Sequence, residues 1–215
     1  MSDDVITVFL ADDHNLIVEG LIALVSQDPC IQIVGYCNNG VEVLDKARES
    51  KPDVLVLDIS LPGLNGIDIC RQVKKALPKT AIMILTMHAN EQCVLGALEN
   101  GATGYLVKEA VALEFREAVH TVARGEIYLG QSINIGVLQR VNRGAKDPYS
   151  QLTDRQRQVL QLSAEGMNHE QIGQLLQIPC SAVESDHASL IKALGFKNQT
   201  DLIKYAIRNH IINIE

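Results

Sequence analysis

Over residues 1–125, short apolar runs alternate with longer stretches whose apolar positions recur every third or fourth residue. The runs are Ile6–Ala11, Ile31–Tyr36, Val54–Leu57, Ala81–Thr86 and Gly104–Val107. They are rich in Val, Ile and Leu at consecutive positions, the pattern of parallel strands covered on both faces. The stretches near 14–27, 39–50, 65–77, 90–100 and 110–124 predict helices. Strand–helix alternation repeated five times predicts an α/β fold with a doubly wound, five-stranded parallel sheet. Such sheets gather their sites at the carboxyl ends of the strands.

The alternation stops near Gly125. Glycines at 125, 130, 136 and 144 precede Lys146-Asp147-Pro148, so residues 126–150 read as a linker, with a helix over 132–142 as its one candidate element. From Leu152 the period is helical throughout. Thr153-Asp154-Arg155-Gln156 is a capping-box pattern opening a helix that closes at Gly166. A short helix is expected near 168–176. Ser181-Ala182-Val183-Glu184 is a second capping-box pattern, opening a helix to Leu194 and Gly195, and a last helix runs from about Gln199 to Asn209. Four short helices with tight turns predict an all-α helix-turn-helix unit over residues 151–215.

Charge complicates that picture. The chain carries a formal −7, and a dedicated DNA binder usually shows a basic patch. From Ser150 onward six Lys and Arg face seven Asp and Glu, so the helical segment is about neutral. The five cysteines are dispersed without metal-ligand spacing, as reduced cytosolic thiols are. The apolar runs are too short to cross a bilayer, and the acidic start Met1-Ser2-Asp3-Asp4 is unlike a secretory signal. A cytoplasmic protein without a membrane partner is expected.

Three carboxylates fall at strand ends: Asp12 and Asp13 after the first strand, Asp58 after the third. Neighbouring strands would cluster them, and clustered anions call for a cation. A hard divalent ion with oxygen ligands fits, Mg²⁺ first. Thr86 ends the fourth strand and Lys108 follows the fifth. A hydroxyl and an ammonium facing a metal-bound carboxylate form a receptacle for a phosphoryl group, where catalysis is positioning and charge neutralisation. His14 and His88 flank this pocket and read as solvated side chains. Cys70 and Cys93 read as apolar fillers on helix faces.

On Leu10-Ala11-Asp12-Asp13-His14, Leu57-Asp58 through Pro62 to Gly66, Leu85-Thr86 and Gly104-Tyr105-Leu106-Val107-Lys108, residues 1–125 resemble the receiver domains of two-component response regulators, which have a flavodoxin-like fold. The resemblance implies that Asp58 accepts a phosphoryl group from a histidine kinase. It implies that Asp13, Asp58 and the carbonyl of Ser60 ligate Mg²⁺ directly and Asp12 through water. Lys108 and Thr86 would bind the phosphoryl oxygens, and Tyr105 would move inward as Thr86 shifts.

The pattern from Leu152 through Leu160, Gly166, Ile172, Val183, Leu194-Gly195 and Asn198 resembles the LuxR-type helix-turn-helix of the NarL/FixJ regulators. That resemblance puts the helix near 181–194 in the DNA major groove. Its base-reaching positions are Glu184, Ser185 and Ala188, where the family commonly has basic residues at the first and last. Asp186 stands where the family has a histidine. The remaining candidate DNA contacts are Ser181, Ser189, Lys192, Lys197 and Asn198. Few cations to replace counterions imply weakened DNA binding. Glu184 also reads as a capping partner of Ser181. In the last helix Leu202, Ala206 and Ile207 read as core; the resemblance implies that this helix also supplies a homodimer face on phosphorylation, which the apolar tail Ile211–Ile214 would extend. Two functions follow: a phosphorylation-controlled transcription regulator, or a phosphorylation-controlled adaptor whose helical domain binds protein. An enzyme built on the acidic pocket lacks any nucleophile set beyond the receiver pattern, so a non-enzymatic role is expected.

Overall fold

The computed structural model describes residues 5–87, 89, 91–133, 148–209 and 211–212. The chain forms two compact units, one within the first 143 residues and one from Gly144 onward.

In the first unit, β1 (Ile6–Ala11), β2 (Ile31–Cys37), β3 (Val54–Leu57), β4 (Ala81–Thr86) and β5 (Gly104–Val107) alternate with α1 (Asn15–Val25), α2 (Gly40–Ser50), α3 (Gly66–Ala76), α4 (Glu91–Glu99) and α5 (Val111–Ala123). A sixth strand, β6 (Tyr128–Leu129), completes a parallel sheet in the order β2-β1-β3-β4-β5-β6. The β3, β4 and β5 residues are all buried, which is why these segments carry no polar alternation. One sheet face, with Val8, Leu10, Val56, Met83 and Leu106, packs on α1 and α5 through Leu21, Phe115 and Val119. The chain leaves β1 toward β2 on one side and returns to β3 on the other. This reversal opens a crevice at the carboxyl ends of β1 and β3.

β6 falls in the stretch expected as linker. Two residues are too few to show a period, and their pairing has a tertiary cause. The buried Glu114 carboxylate on α5 accepts from the Tyr128 hydroxyl at 2.9 Å and from the Gln131 amide at 3.1 Å, drawing the chain along the β5 edge. The expected helix over 132–142 lies almost wholly outside the described residues.

The second unit holds a 3-10 turn (Pro148–Gln151), then α6 (Asp154–Ala164), α7 (His169–Leu176), α8 (Cys180–Leu194) and α9 (Gln199–Arg208). Both halves of the Thr153–Gln156 capping box form, and Asn168 with Gln171 builds another at α7. Gly166 and Gly195 take φ of +92° and +70° just beyond α6 and α8, a conformation glycine adopts without a Cβ clash. The core is Val159, Leu160, Ile172, Val183, Leu190, Leu202 and Ala206. Ile211 joins that core, so the front of the expected dimer tail is buried inside its own domain.

The expected capping box at Ser181 does not form. α8 starts two residues earlier, with Pro179 in extended geometry at its N-cap and no side-chain cap. The fixed proline φ sets the chain up for a helix that begins directly after it. Ser181 therefore lies inside the helix, and Glu184 instead accepts from the Cys180 thiol at 3.8 Å.

Candidate functional site

The end of β1 delivers Asp12 and Asp13, and the end of β3 delivers Asp58. Ala11 and Leu57 are register partners, and the Asp58 amide donates to the Ala11 carbonyl at 2.8 Å. Asp12 and Asp58 are both buried, while Asp13 is partly open to solvent. Lys108, directly after β5, reaches across with its Nζ 2.8 Å from an oxygen of each buried carboxylate. Burial alone would lower the Lys108 ammonium, but the Asp58 and Asp12 carboxylates outweigh it and hold it above its ordinary range. Thr86, at the end of β4, is fully buried beside β5, with Val107 as its register partner.

The pocket depends on one close backbone approach. Gly66 opens α3 with its amide donating to the Ile59 carbonyl at 2.8 Å. A Cβ there would lie 2.2 Å from the Asp58 carbonyl oxygen, so only glycine fits against the loop that carries Asp58. The Ser60 amide donates to Asp58 Oδ1 at 3.3 Å, folding the loop back over the carboxylate.

His14 is exposed, as a solvated side chain should be, and also makes contacts into the pocket. Its ring is half exposed, yet Nδ1 sits 2.8 Å from Asp13, 3.1 Å from Asp12 and 3.4 Å from the Lys108 ammonium. Its position as N-cap residue of α1, with its amide donating to Asp12, turns the ring inward. His88 lies outside the described residues. Tyr105 is already fully buried, and that burial raises its phenol well above the usual range. Cys70 and Cys93 are buried, as apolar fillers should be.

Donor atoms of Asp12, Asp13, His14 and Asp58 all lie within 4.8 Å of one another. Like charges about 4 Å apart repel by roughly 4 kcal/mol at an effective dielectric of 20, a load that one ammonium offsets only in part. The carboxylate-rich donor set fits a hard divalent cation such as Mg²⁺.

In the second unit, Ser181, Glu184, Ser185, Ala188, Ser189 and Lys192 are all exposed and follow one another at helical spacing along one face of α8. Lys197 and Asn198 are exposed beyond it, though the Asn198 side chain is engaged as the N-cap of α9. Asp186 is the departure. It is buried, with a side chain only 10% exposed, and receives Nε and Nη2 of Arg155 from α6. The acidic surface expected on α8 thus reduces to Glu184. Sequence reasoning missed this pair because Arg155 and Asp186 stand 31 positions apart.

Comparison with known proteins places these features in a family. The family described as response regulator receiver domain matches residues 8–120, and the bacterial regulatory proteins of the luxR family match residues 150–206. The chain is 32% identical over 203 residues to the DNA-binding transcriptional activator DevR/DosR of Mycobacterium tuberculosis, covering 94% of each. It is 31% identical over 210 residues to the transcriptional regulatory protein LiaR of Bacillus subtilis, covering 97% of this chain and all of that one. Its fold resembles the RcsB response regulator of Salmonella typhimurium with a TM-score of 0.62, over 94% of this chain and 96% of that one, at 23% identity. The protein belongs to the response regulators that join a receiver domain to a LuxR-type helix-turn-helix domain.

Proposed function

We propose that Asp58 accepts a phosphoryl group from a phosphohistidine on a histidine kinase, and that this controls transcription through DNA binding by α8. The observation that carries the reading is the meeting of Asp12, Asp13, Asp58 and Lys108 at the carboxyl ends of β1, β3 and β5. A carboxylate oxygen of Asp58 would bond to phosphorus as the phosphorus–nitrogen bond of the donor breaks, the electron pair leaving with the imidazole. Asp13, Asp58 and the Ser60 carbonyl would hold Mg²⁺, with Asp12 acting through water; the ion supplies neutralisation of the charge on the phosphoryl oxygens. Lys108, now shared between Asp12 and Asp58, would turn its ammonium to a phosphoryl oxygen. Thr86 would donate its hydroxyl to another, with Tyr105 filling the space behind it.

At the helical domain, Ser181, Glu184, Ser185, Ala188, Ser189 and Lys192 would face the major groove, with Lys197 and Asn198 near the phosphate backbone. The adaptor alternative is not favoured. It rested on an acidic reading face, and half of that charge belongs to Asp186, which is turned inward to Arg155. The luxR-family match and the names of the relatives support transcriptional regulation instead.

The test is incubation with Mg²⁺ and acetyl phosphate. The expected result is one added phosphoryl group by intact mass, absent in Asp58→Ala and retained in Asp53→Ala. Asp53 is a fair control because it binds the Thr7 backbone and hydroxyl at the opposite end of the sheet. Labelling that persists in Asp58→Ala removes the assignment.

A further inference from the structure

A cavity of about 210 Å³ lies in the helical domain where α6, α7, α8 and the start of α9 meet. Its walls are Ser163, Met167, Asn168, His169, His187 and Gln199. Three features set it apart from a packing gap. The His169 and His187 rings lie against each other with centroids 4.9 Å apart and planes tilted by 58°, which puts two imidazoles within the span of one ion. The Ser163 hydroxyl is buried, with the residue 2% exposed, and has no hydrogen-bond partner among the described residues. A buried polar atom without a partner is costly, and a hydrated or ligand-bearing cavity beside it supplies one.

The third feature is orientation. The Gln199 side-chain Nε2 donates to the Ser163 carbonyl at 2.8 Å. Its Oε1 is then left as an acceptor beside His187, which lines the same cavity. Metal-binding histidines are commonly held this way, one ring nitrogen donating to a carbonyl and the other left with a free lone pair. Met167, on the same wall, carries a soft thioether.

We propose that His169 and His187, with Met167 beside them, form a site for a late transition-metal ion, Cu²⁺ in preference to Ni²⁺ or Zn²⁺. Imidazole donors suit these ions, Cu²⁺ binds most tightly across the divalent series, and a weak thioether is a familiar third partner of copper. Ser163 would hydrogen bond to water on the ion. The bound ion would tie the start of α7 to the middle of α8. It is distinct from the acidic pocket of the receiver domain, whose donors are chiefly carboxylates.

The experiment is titration of the full-length protein with Cu²⁺ in excess Mg²⁺, followed by electron paramagnetic resonance. The expected spectrum shows hyperfine splitting from two nitrogens at one equivalent of copper. His169→Asn and His187→Gln should each abolish that two-nitrogen signal, with circular dichroism confirming the fold. Gln199→Ala should weaken binding by roughly ten- to a hundredfold. Proton NMR of the wild type decides the same question without substitution: substoichiometric Cu²⁺ should broaden the His169 and His187 ring signals first. A spectrum unchanged in both histidine variants, a signal lost in His14→Ala instead, or first broadening at another histidine would each overturn the site.

Discussion

Single residues in this protein act through what lies within a few ångströms of them. Gly66 has no chemistry of its own, yet a methyl group there would meet the Asp58 carbonyl at 2.2 Å. Gly66→Ala should lower stability by about 1–3 kcal/mol, the usual cost of overpacking, and should slow phosphorylation from acetyl phosphate more than its stability loss explains. Denaturant unfolding and a phosphorylation time course on the same sample check this; unchanged labelling would mean that the Asp58 loop tolerates the shift. His187 gives a pH prediction. Its burial beside His169 lowers its proton affinity in the folded state below the ordinary value of 6.5. The unfolded chain then binds the extra proton more readily, so stability is full above pH 6.5 and falls as pH drops through the folded value. Metal-free protein should show a helical-domain melting temperature that declines from pH 7.5 to pH 5. The decline should be shallower in His187→Gln, and equal slopes would show that other groups dominate.

At the scale of the element, α8 separates two uses of charge. Glu184 is exposed on the face that the DNA-binding reading assigns to the groove, whereas Asp186, two residues on, is turned inward to Arg155 on α6. Glu184→Lys should therefore strengthen non-specific DNA binding and steepen the salt dependence by about 0.9 in the log–log slope if the new lysine makes one phosphate contact. Because the Ser181 capping box is absent, this substitution should leave the unfolding midpoint almost unmoved. Fluorescent-duplex titration at several salt concentrations decides it, and identical slopes for both proteins would remove α8 from the interface. Asp186→His should do nothing for the groove. It and Arg155→Gln should instead destabilise the helical domain, the latter more, because it leaves a buried carboxylate without its cation.

At the scale of the whole molecule, the proposed function requires phosphorylation of Asp58 to be coupled to a separate helical unit. A ligand shifts a two-state equilibrium only through contacts that differ between the states. The Lys108 ammonium is the candidate for that difference, because its partners in the unphosphorylated protein are Asp12 and Asp58. Lys108→Ala should still take up the phosphoryl group on Asp58, at reduced rate, but should fail to dimerise or to gain DNA affinity. Intact mass with light scattering on the same sample separates the two readouts. Wild-type dimerisation in phosphorylated Lys108→Ala would assign the coupling elsewhere.

Among the described residues, the five longer strands and the helices α1 to α9 were legible in the sequence because each rests on a local period, the unbroken runs of buried strands or the three-to-four spacing of a helix face. The acidic pocket was legible too, since strand ends in a parallel sheet converge by topology, and topology follows from element order. What the sequence could not decide were pairings between residues distant along the chain. β6 depends on the Glu114 carboxylate, the inward turn of Asp186 on Arg155, and the adjacent rings of His169 and His187 on the crossing of α7 over α8. The start of α8 was misread for a local reason, because a proline and a serine both signal a helix beginning and only the built helix shows which prevails. A side chain's type is written in the sequence, but whether its charge faces water or a buried partner depends on which surface the fold brings against it.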